Sequence, residues 1–457
     1  MNIVILIIDA ISYNYSWLKS KDHFPYLNTI SENFLNFHNH YGVSNGTRNN
    51  LATILSGLPP SLHKTMNRKN SFRNNKYYNI QKILGTKGYY TLYFGTQPLF
   101  HSEKKGDNLD FSDAIYLSPS MADYYIPGLK FNNFVINHHE KIKNKTHFCI
   151  YHYTDVHAPF EPPKVKFKNT KKINYFLAKN FHHIIKRYFW LKIQRIFSKK
   201  VKEVLKNYPH LVENSFPLGQ NISLERYPLN KKFYHEVWNT KKLYEDYIQM
   251  HKNASNYQDK SIKEILEYFK KNSKNTLFLM LADHGNSDLI DPEKRKKEGI
   301  LLKDLVHVPL SIFSFDEEIN RRLKLHGDIY DLTSHADIFN TILNLLTDVN
   351  LKKETNSSNY IQDLLNIENI NRYIFSEFND LRSGKGRSDR GEIKMFNLNE
   401  EYLFNMSSSD EISDILEKKN ILNNFDKKDY EKYFTYKSEF NNKIKEIKKF
   451  LSDKRII

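Results

Sequence analysis

Asn275-Thr276-Leu277-Phe278-Leu279-Met280-Leu281-Ala282-Asp283-His284-Gly285 decides the fold. An unbroken apolar run of strand length reads as a strand buried on both faces, as in a parallel sheet, rather than as a half-exposed one. Asp283 and His284 follow it directly, at the strand end where open α/β sheets hold their ligands. The chain opens the same way. Ile3-Val4-Ile5-Leu6-Ile7-Ile8 leads straight to Asp9. Met1–Asp9 lacks a basic leader region and a small-residue cleavage site, and is too short to span a bilayer. It is expected to be a buried first strand, with a cytoplasmic location as the default. Two carboxylates and an imidazole at strand ends suit a divalent cation with oxygen and nitrogen ligands. The plainer alternatives are a helix cap at Asp9 and a metal-free buried pair at Asp283 and His284.

Outward from these strands the pattern alternates. The spacing predicts helices over 25–37, 80–88, 240–271 and 334–346. It predicts strands over 89–94, 146–153 and 307–313. Strands alternating with helices give an α/β fold with a large mixed, mostly parallel sheet flanked by helices. A polar, irregular stretch over 347–370 marks a boundary. Beyond it, short strands and then charged helices suggest a small C-terminal α+β subdomain. The expected division is a catalytic domain over 1–350, carrying a basic helical insertion over 164–240, and a subdomain over 371–457.

Composition narrows the class. At 457 residues, 40% hydrophobic and 14% aromatic, the chain can bury a large core. Its single cysteine, Cys149, lies in the apolar Phe148-Cys149-Ile150-Tyr151 run and rules out an internal disulfide framework. A net charge of +17 suits anionic partners. Much of it sits in residues 164–206, with fourteen Lys or Arg against the single acid Glu203. Interleaved aromatic and aliphatic residues make that segment a basic amphipathic insertion. It is either an ordinary packed helix or a lid that touches an anionic membrane surface, with the enzyme then peripheral at the membrane. A nucleic-acid role is disfavoured, because no recognised nucleic-acid motif accompanies it. The sequence leaves oligomeric state open.

Gly46-Thr47-Arg48-Asn49-Asn50-Leu51-Ala52-Thr53-Ile54-Leu55-Ser56-Gly57-Leu58-Pro59-Pro60 is a polar turn entering a short helix. A helix N-terminus gathers unpaired N–H donors and partial positive charge, so it favours an anion. Thr47 is there a candidate nucleophile; a plain N-cap is the alternative. A threonine hydroxyl needs a base or a metal to react near neutral pH.

Together these pieces resemble the sulfatase branch of the alkaline phosphatase superfamily, in family order over most of the chain. Ile5 to Asp9 resembles its first metal strand, and Thr47 to Pro59 its nucleophile helix. Gly88-Tyr89-Tyr90-Thr91 is similar to its GY-x-T strand start, and Asp155-Val156-His157-Ala158-Pro159-Phe160 to its D-x-H-x-P-(F/Y) loop. Asn275 to Gly285, His307-Val308-Pro309-Leu310 and Ser334-His335-Ala336-Asp337-Ile338 match its later elements. The family nucleophile stands ten residues before a helix-ending Gly, which selects Thr47 over Ser44 by its distance from Gly57. The chain also departs from the pattern. Thr47 replaces the cysteine or serine matured to formylglycine. Ala10 follows Asp9 where paired Asp is usual, Thr96-Gln97-Pro98 replaces a Lys and His, and Asn286 replaces Glu.

The resemblance implies an alkaline-phosphatase-like fold and a hydrolase acting on an anionic ester, phosphate or sulfate. Catalysis would fall to Thr47, Arg48, Asn50 and His157. The metal ligands would be Asp9, Thr47, Asp283 and His284, holding Mn, Mg, Ca or Zn. His307 and Asp155 are candidates for a supporting role or a second metal. A structural role is the alternative for His157 and His307, and a solvated one for Arg48. Because a threonine nucleophile is the mark of the superfamily's phosphodiesterases and phosphotransferases, phosphoryl transfer to a lipid or surface glycan at the membrane face is the competing activity. Non-catalytic binding of an anionic polymer is the third.

Overall fold

The computed structural model describes residues 1–63, 79–95, 110–117, 127–157, 241–273, 275–286, 289, 302–324, 326–347, 363–365, 367, 372, 374–379, 390–396 and 401–407. The insertion expected over 164–240, the Ala158-Pro159-Phe160 step, Thr96-Gln97-Pro98 and the charged C-terminal helices lie outside them.

Eight strands form one sheet: β1 (Asn2–Ile8), β2 (Leu35–Tyr41), β3 (Tyr90–Gly95), β4 (Asp113–Tyr116), β5 (His147–Tyr153), β6 (Thr276–Leu281), β7 (Leu310–Ser314) and β8 (Ile329–Ser334). Their order is β4-β3-β5-β1-β6-β7-β2-β8. Every neighbouring pair is parallel except those made by β7, which runs antiparallel to β6 and β2. The C-terminal ends of β1, β2, β3, β5 and β6 therefore share one edge. The helices are α1 (Pro25–Ser31), α2 (Thr47–Ser56), α3 (Pro60–His63), α4 (Ile80–Thr86), α5 (Gly128–Ile142), α6 (Lys241–Asn272), α7 (Lys303–Val306), α8 (Glu317–Lys324) and α9 (His335–Thr347).

β1 explains the layering. Its side chains alternate between faces, as any strand's do. Ile3, Ile5 and Ile7 join one core with Leu51, Ile54 and Leu55 of α2, Ile83 of α4 and Ile338 and Ile342 of α9. Val4, Leu6 and Ile8 join the opposite core with Leu27 of α1, Phe131 and Val135 of α5 and Ile262, Ile265 and Phe269 of α6. Both faces are covered, so the strand carries no polar alternation. The apolar opening run is thus the central strand of the sheet.

One expectation over 25–37 is corrected. The helix stops at Ser31, and Leu35–Tyr41 is the inner strand β2. Four polar residues in Leu35-Asn36-Phe37-His38-Asn39-His40-Tyr41 hide the strand. In the fold they find partners across the sheet: Asn36 Oδ1 accepts from the Ser311 hydroxyl of β7 at 2.8 Å, and His40 Nδ1 lies 3.0 Å from Thr333 Oγ1 of β8.

A second sheet is antiparallel, in the order β11-β10-β9, from β9 (Ile374–Asn379), β10 (Arg390–Phe396) and β11 (Glu401–Ser407). It is tied to the first. The Glu377 N–H donates to the Val43 carbonyl and the Ser376 hydroxyl to that of Gly42, at 2.7 and 2.6 Å. Just before β9, Arg372 forms a buried two-pronged pair with Asp337 of α9, at 2.7 and 2.6 Å.

Candidate active site

Asp9, Thr47, Asp283 and His284 meet at the shared strand edge. Asp9 leaves β1 and Asp283 leaves β6, strands paired in parallel register, so the carboxylates arrive level. Both residues are fully buried. Ala10 takes a left-handed backbone at φ 63. Such a conformation is costly for a residue with a Cβ and persists where the surroundings hold it. Here it aims the Ala10 N–H at Asp283 Oδ1, 3.1 Å away, and the His284 N–H donates to the same oxygen at 2.9 Å. Gly285 must be glycine. A Cβ there would lie 2.1 Å from the Asp304 carbonyl oxygen.

His284 is oriented by its own turn. Nδ1 donates to the Gly285 carbonyl at 2.7 Å, so Nε2 carries the lone pair. Nε2 lies 3.1 Å from Thr47 Oγ1, 3.4 Å from Asp283 Oδ2 and 3.7 Å from Asp9 Oδ1. Ligand atoms of Asp9, Asp283 and His284 all lie within 4.8 Å of one another, the one such group among the described residues. Both Asp9 oxygens and Asp283 Oδ2 are buried without a hydrogen-bond partner. Buried carboxylates left unpaired are expensive unless a cation pairs them. Three orphaned oxygens converging beside an imidazole lone pair therefore fit a divalent cation. Burial pushes the Asp9 pKa up, but His157, His152 and His284 outweigh it and bring it down to about 2.

Thr47 begins α2, with Gly46 as its N-cap. Gly57 ends the helix at φ 69, where a Cβ would come within 2.8 Å of Phe339. The glycine that marks the spacing in sequence is thus also where α2 and α9 pack most closely. Arg48 is half-buried in the first turn; burial lowers its pKa, with a smaller opposing effect from Tyr116 at the end of β4. No carboxylate of the described residues pairs with it. The His157 ring lies 6.4 Å from that of His284, nearly perpendicular to it.

Three expected residues sit differently. The Asn50 carboxamide is turned into the backbone. Its oxygen accepts from the N–H groups of Val43 and Ser44 at 2.8 and 3.2 Å, and its nitrogen donates to the Ser44 and Gly46 carbonyls at 2.7 and 3.1 Å. It shapes the turn that presents Thr47. Asp155 Oδ1 accepts the Gly128 N–H at 2.9 Å, at the start of α5, where a carboxylate suits the helix dipole. His307 donates Nε2–H to the His38 carbonyl at 2.8 Å and is stacked between Tyr13 and Tyr41. Burial holds its pKa near about 4. Neither Asp155 nor His307 belongs to the carboxylate–imidazole group.

Two residues at the site escape a sequence reading. His335 lies between the nucleophile turn and the end of β6, with Nδ1 3.1 Å from Asn50 Oδ1 and Nε2 3.1 Å from the Ala282 carbonyl; a neutral ring donates to one of the two. His152 of β5 has Nε2 3.2 Å from Asp9 Oδ2. A histidine inside an apolar strand, one step from its end, is the only local signal for the latter.

Comparison with known proteins bears on the family and the fold. A family model described as Sulfatase matches residues 1–349. The fold is similar to that of a phosphonate monoester hydrolase of Agrobacterium radiobacter, with TM-score 0.58 and 14% identity, covering 88% of this chain and 87% of that one. A phosphonate monoester hydrolase from Silicibacter pomeroyi gives TM-score 0.56 and 14% identity over 90% and 89%. A protein solved in complex with its substrate D-glucosamine-2-N,6-O-disulfate gives 0.54 and 15% over 98% of both chains. At these identities the likeness is one of fold, the alkaline-phosphatase-like one. No curated protein sequence matches the chain significantly.

Proposed function

This chain belongs to the sulfatase family of hydrolases and transferases, and from that premise we propose that it cleaves phosphate or sulfate esters through a covalent Thr47 intermediate on a divalent cation. The reading is carried by one observation: Thr47 Oγ1 lies 3.1 Å from His284 Nε2, beside three buried, unpartnered carboxylate oxygens. Family members generally use a divalent metal. Asp9, Asp283, His284 and Thr47 would hold it, and its charge lets a threonine hydroxyl ionise near neutral pH.

The chain's own groups do the rest. Asn50 and His335 fix the turn that aims Thr47 Oγ1. Thr47 would give its hydroxyl proton to solvent as it ionises; the Oγ–phosphorus bond forms as the ester oxygen–phosphorus bond breaks, and His157 supplies the proton taken by the leaving oxygen. Arg48 and the free N–H groups of the first turn of α2 offset the charge on the non-bridging oxygens. Water or an acceptor alcohol then releases the threonyl ester. With threonine at position 47, formylglycine cannot form from a cysteine there, which favours a phosphorus centre over sulfur.

The proposal keeps residues 1–350 as the catalytic domain and 371–457 as a small subdomain, supported by their separate sheets. It keeps a cytoplasmic location as well. No helix of the described residues is long and apolar enough to cross a membrane. The test is a panel of aryl phosphate, phosphodiester, phosphonate and sulfate esters, with and without added Mn, Mg, Ca or Zn. One ester class should turn over in a metal-dependent way, and Thr47→Ala should lower its rate on the order of 10³-fold or more. Near-normal turnover by Thr47→Ala would remove Thr47 from the mechanism.

A further inference from the structure

The two carboxylates of the site are held by different means. Asp283 is fixed by two backbone donors, the N–H groups of Ala10 and His284. Asp9 has none: neither of its oxygens makes a hydrogen bond, to backbone or side chain. Its neighbour is a side chain. His152 is fully buried on β5, opposite Ile7 of β1, and presents Nε2 to Asp9 Oδ2 at 3.2 Å.

The other face of that imidazole is also engaged. His152 Nδ1 lies 2.9 Å from the Tyr93 hydroxyl on β3. The protons fall into place from donor chemistry. A phenol O–H donating to Nδ1 leaves Nε2 as the N–H of the neutral ring; that nitrogen makes no other hydrogen bond and stands 3.2 Å from Asp9 Oδ2, close to it but outside hydrogen-bond geometry. Tyr93 is itself positioned by Gly95, where a Cβ would lie 2.6 Å from the phenol oxygen. Burial and the nearby Tyr116, Asp9 and Asp283 keep the phenol protonated, with its pKa raised well above the ordinary value. Three adjacent strands, β3, β5 and β1, thus carry one line of groups that ends on Asp9.

We infer that His152 is a positioning residue, held in its Nε2–H tautomer by Tyr93, that fixes the Asp9 carboxylate for the cation and so sets the cation affinity of the site. The inference rests on the reading that Asp9, Asp283 and His284 bind a cation. His152 is not itself a ligand, for the converging group comprises those three residues alone. A buried carboxylate with no fixed donor would lose conformational freedom on binding, at an entropic cost. A neutral N–H donor removes that cost without adding a charge that repels the metal. Partners of this kind typically change metal affinity by about 10–100-fold.

The experiment measures Mn(II) binding to the full chain, by the electron paramagnetic resonance of free Mn(II) and by calorimetry, with thermal melts alongside. The wild type should bind one ion, and Asp9→Asn should bind none. His152→Ala should weaken binding about 10–100-fold and Tyr93→Phe about tenfold. His152→Gln, which returns an amide N–H near the Nε2 position, should recover most of the loss. If wild type binds, Asp9→Asn does not, and His152→Ala and Tyr93→Phe bind within about twofold of wild type, His152 is only a core residue and the inference falls while the cation site stands. If the wild type binds neither Mn(II) nor Zn(II), the cation reading fails, and this inference with it. Should His152→Ala not fold, Tyr93→Phe and His152→Gln decide the matter by the same readout.

Discussion

Asn50 separates two ways of building a nucleophile. One helical turn after Thr47, it could have faced the substrate; instead its amide organises the turn that carries Thr47. Asn50→Ala would leave the buried N–H groups of Val43 and Ser44 without their side-chain acceptor and the Ser44 carbonyl without its side-chain donor. The expected cost is about 3 kcal/mol of stability, read by denaturant melts, together with a fall in turnover as Thr47 loses its aim. Unchanged stability would show that water satisfies the turn. Asp9, Thr47, Asp283 and His284 were legible because each follows an apolar strand or opens a helix, where position alone says which edge it reaches. The backbone contacts of Asn50 were not visible beforehand, because helical spacing tells which residues share a face and not where a side chain turns. His152, Tyr93 and His335 were not legible at all. Their partners lie 59 residues or more away for the Tyr93–His152 contact and 285 for His335–Asn50, and only the fold brings them together.

At the scale of elements, α2 is the piece most dependent on its ends. Gly57 both takes the left-handed conformation and leaves room for Phe339 of α9. Gly57→Ala meets both penalties and should destabilise the protein by about 1–3 kcal/mol, with a visible drop in melting temperature. A substitution cost under half of the low end would mean that Phe339 moves aside freely. Fully buried strands such as β1 and β6 declared themselves by long apolar runs. β2 did not, because Asn36, His38, Asn39 and His40 find partners across the sheet that no local window displays. The short edge strand β4 and helix α5 went unread for a related reason. Four partly exposed residues in β4 give no periodic signal, and the start of α5 is capped by the distant Asp155 rather than by a local side chain.

The whole molecule buries several imidazoles in the neutral form. Burial is the leading cause for His23, His139 and His307, each lowered to about 4, and for His335, lowered to about 3. The unfolded chain takes up protons at these groups as pH falls below the ordinary value of 6.5, whereas the folded chain does so only at about 4 or lower. Stability is therefore greatest above that upper value and is lost as pH drops through the window. Each group contributes about 1.4 kcal/mol per pH unit within it. Melting temperature should fall steeply on acidification, and His23→Gln should make the slope shallower. A flat profile across the window would contradict the burial of these rings.

The covalent role of Thr47 on a cation held by Asp9, Asp283 and His284 is most directly tested by trapping. The metal-loaded protein is mixed with an aryl phosphate, quenched in acid and digested, and its peptides are read by mass spectrometry. The account predicts one phosphoryl group on Thr47, appearing with substrate and absent from the Asp9→Asn variant. Turnover that proceeds with no adduct on Thr47, and equally fast in Thr47→Ala, would contradict it.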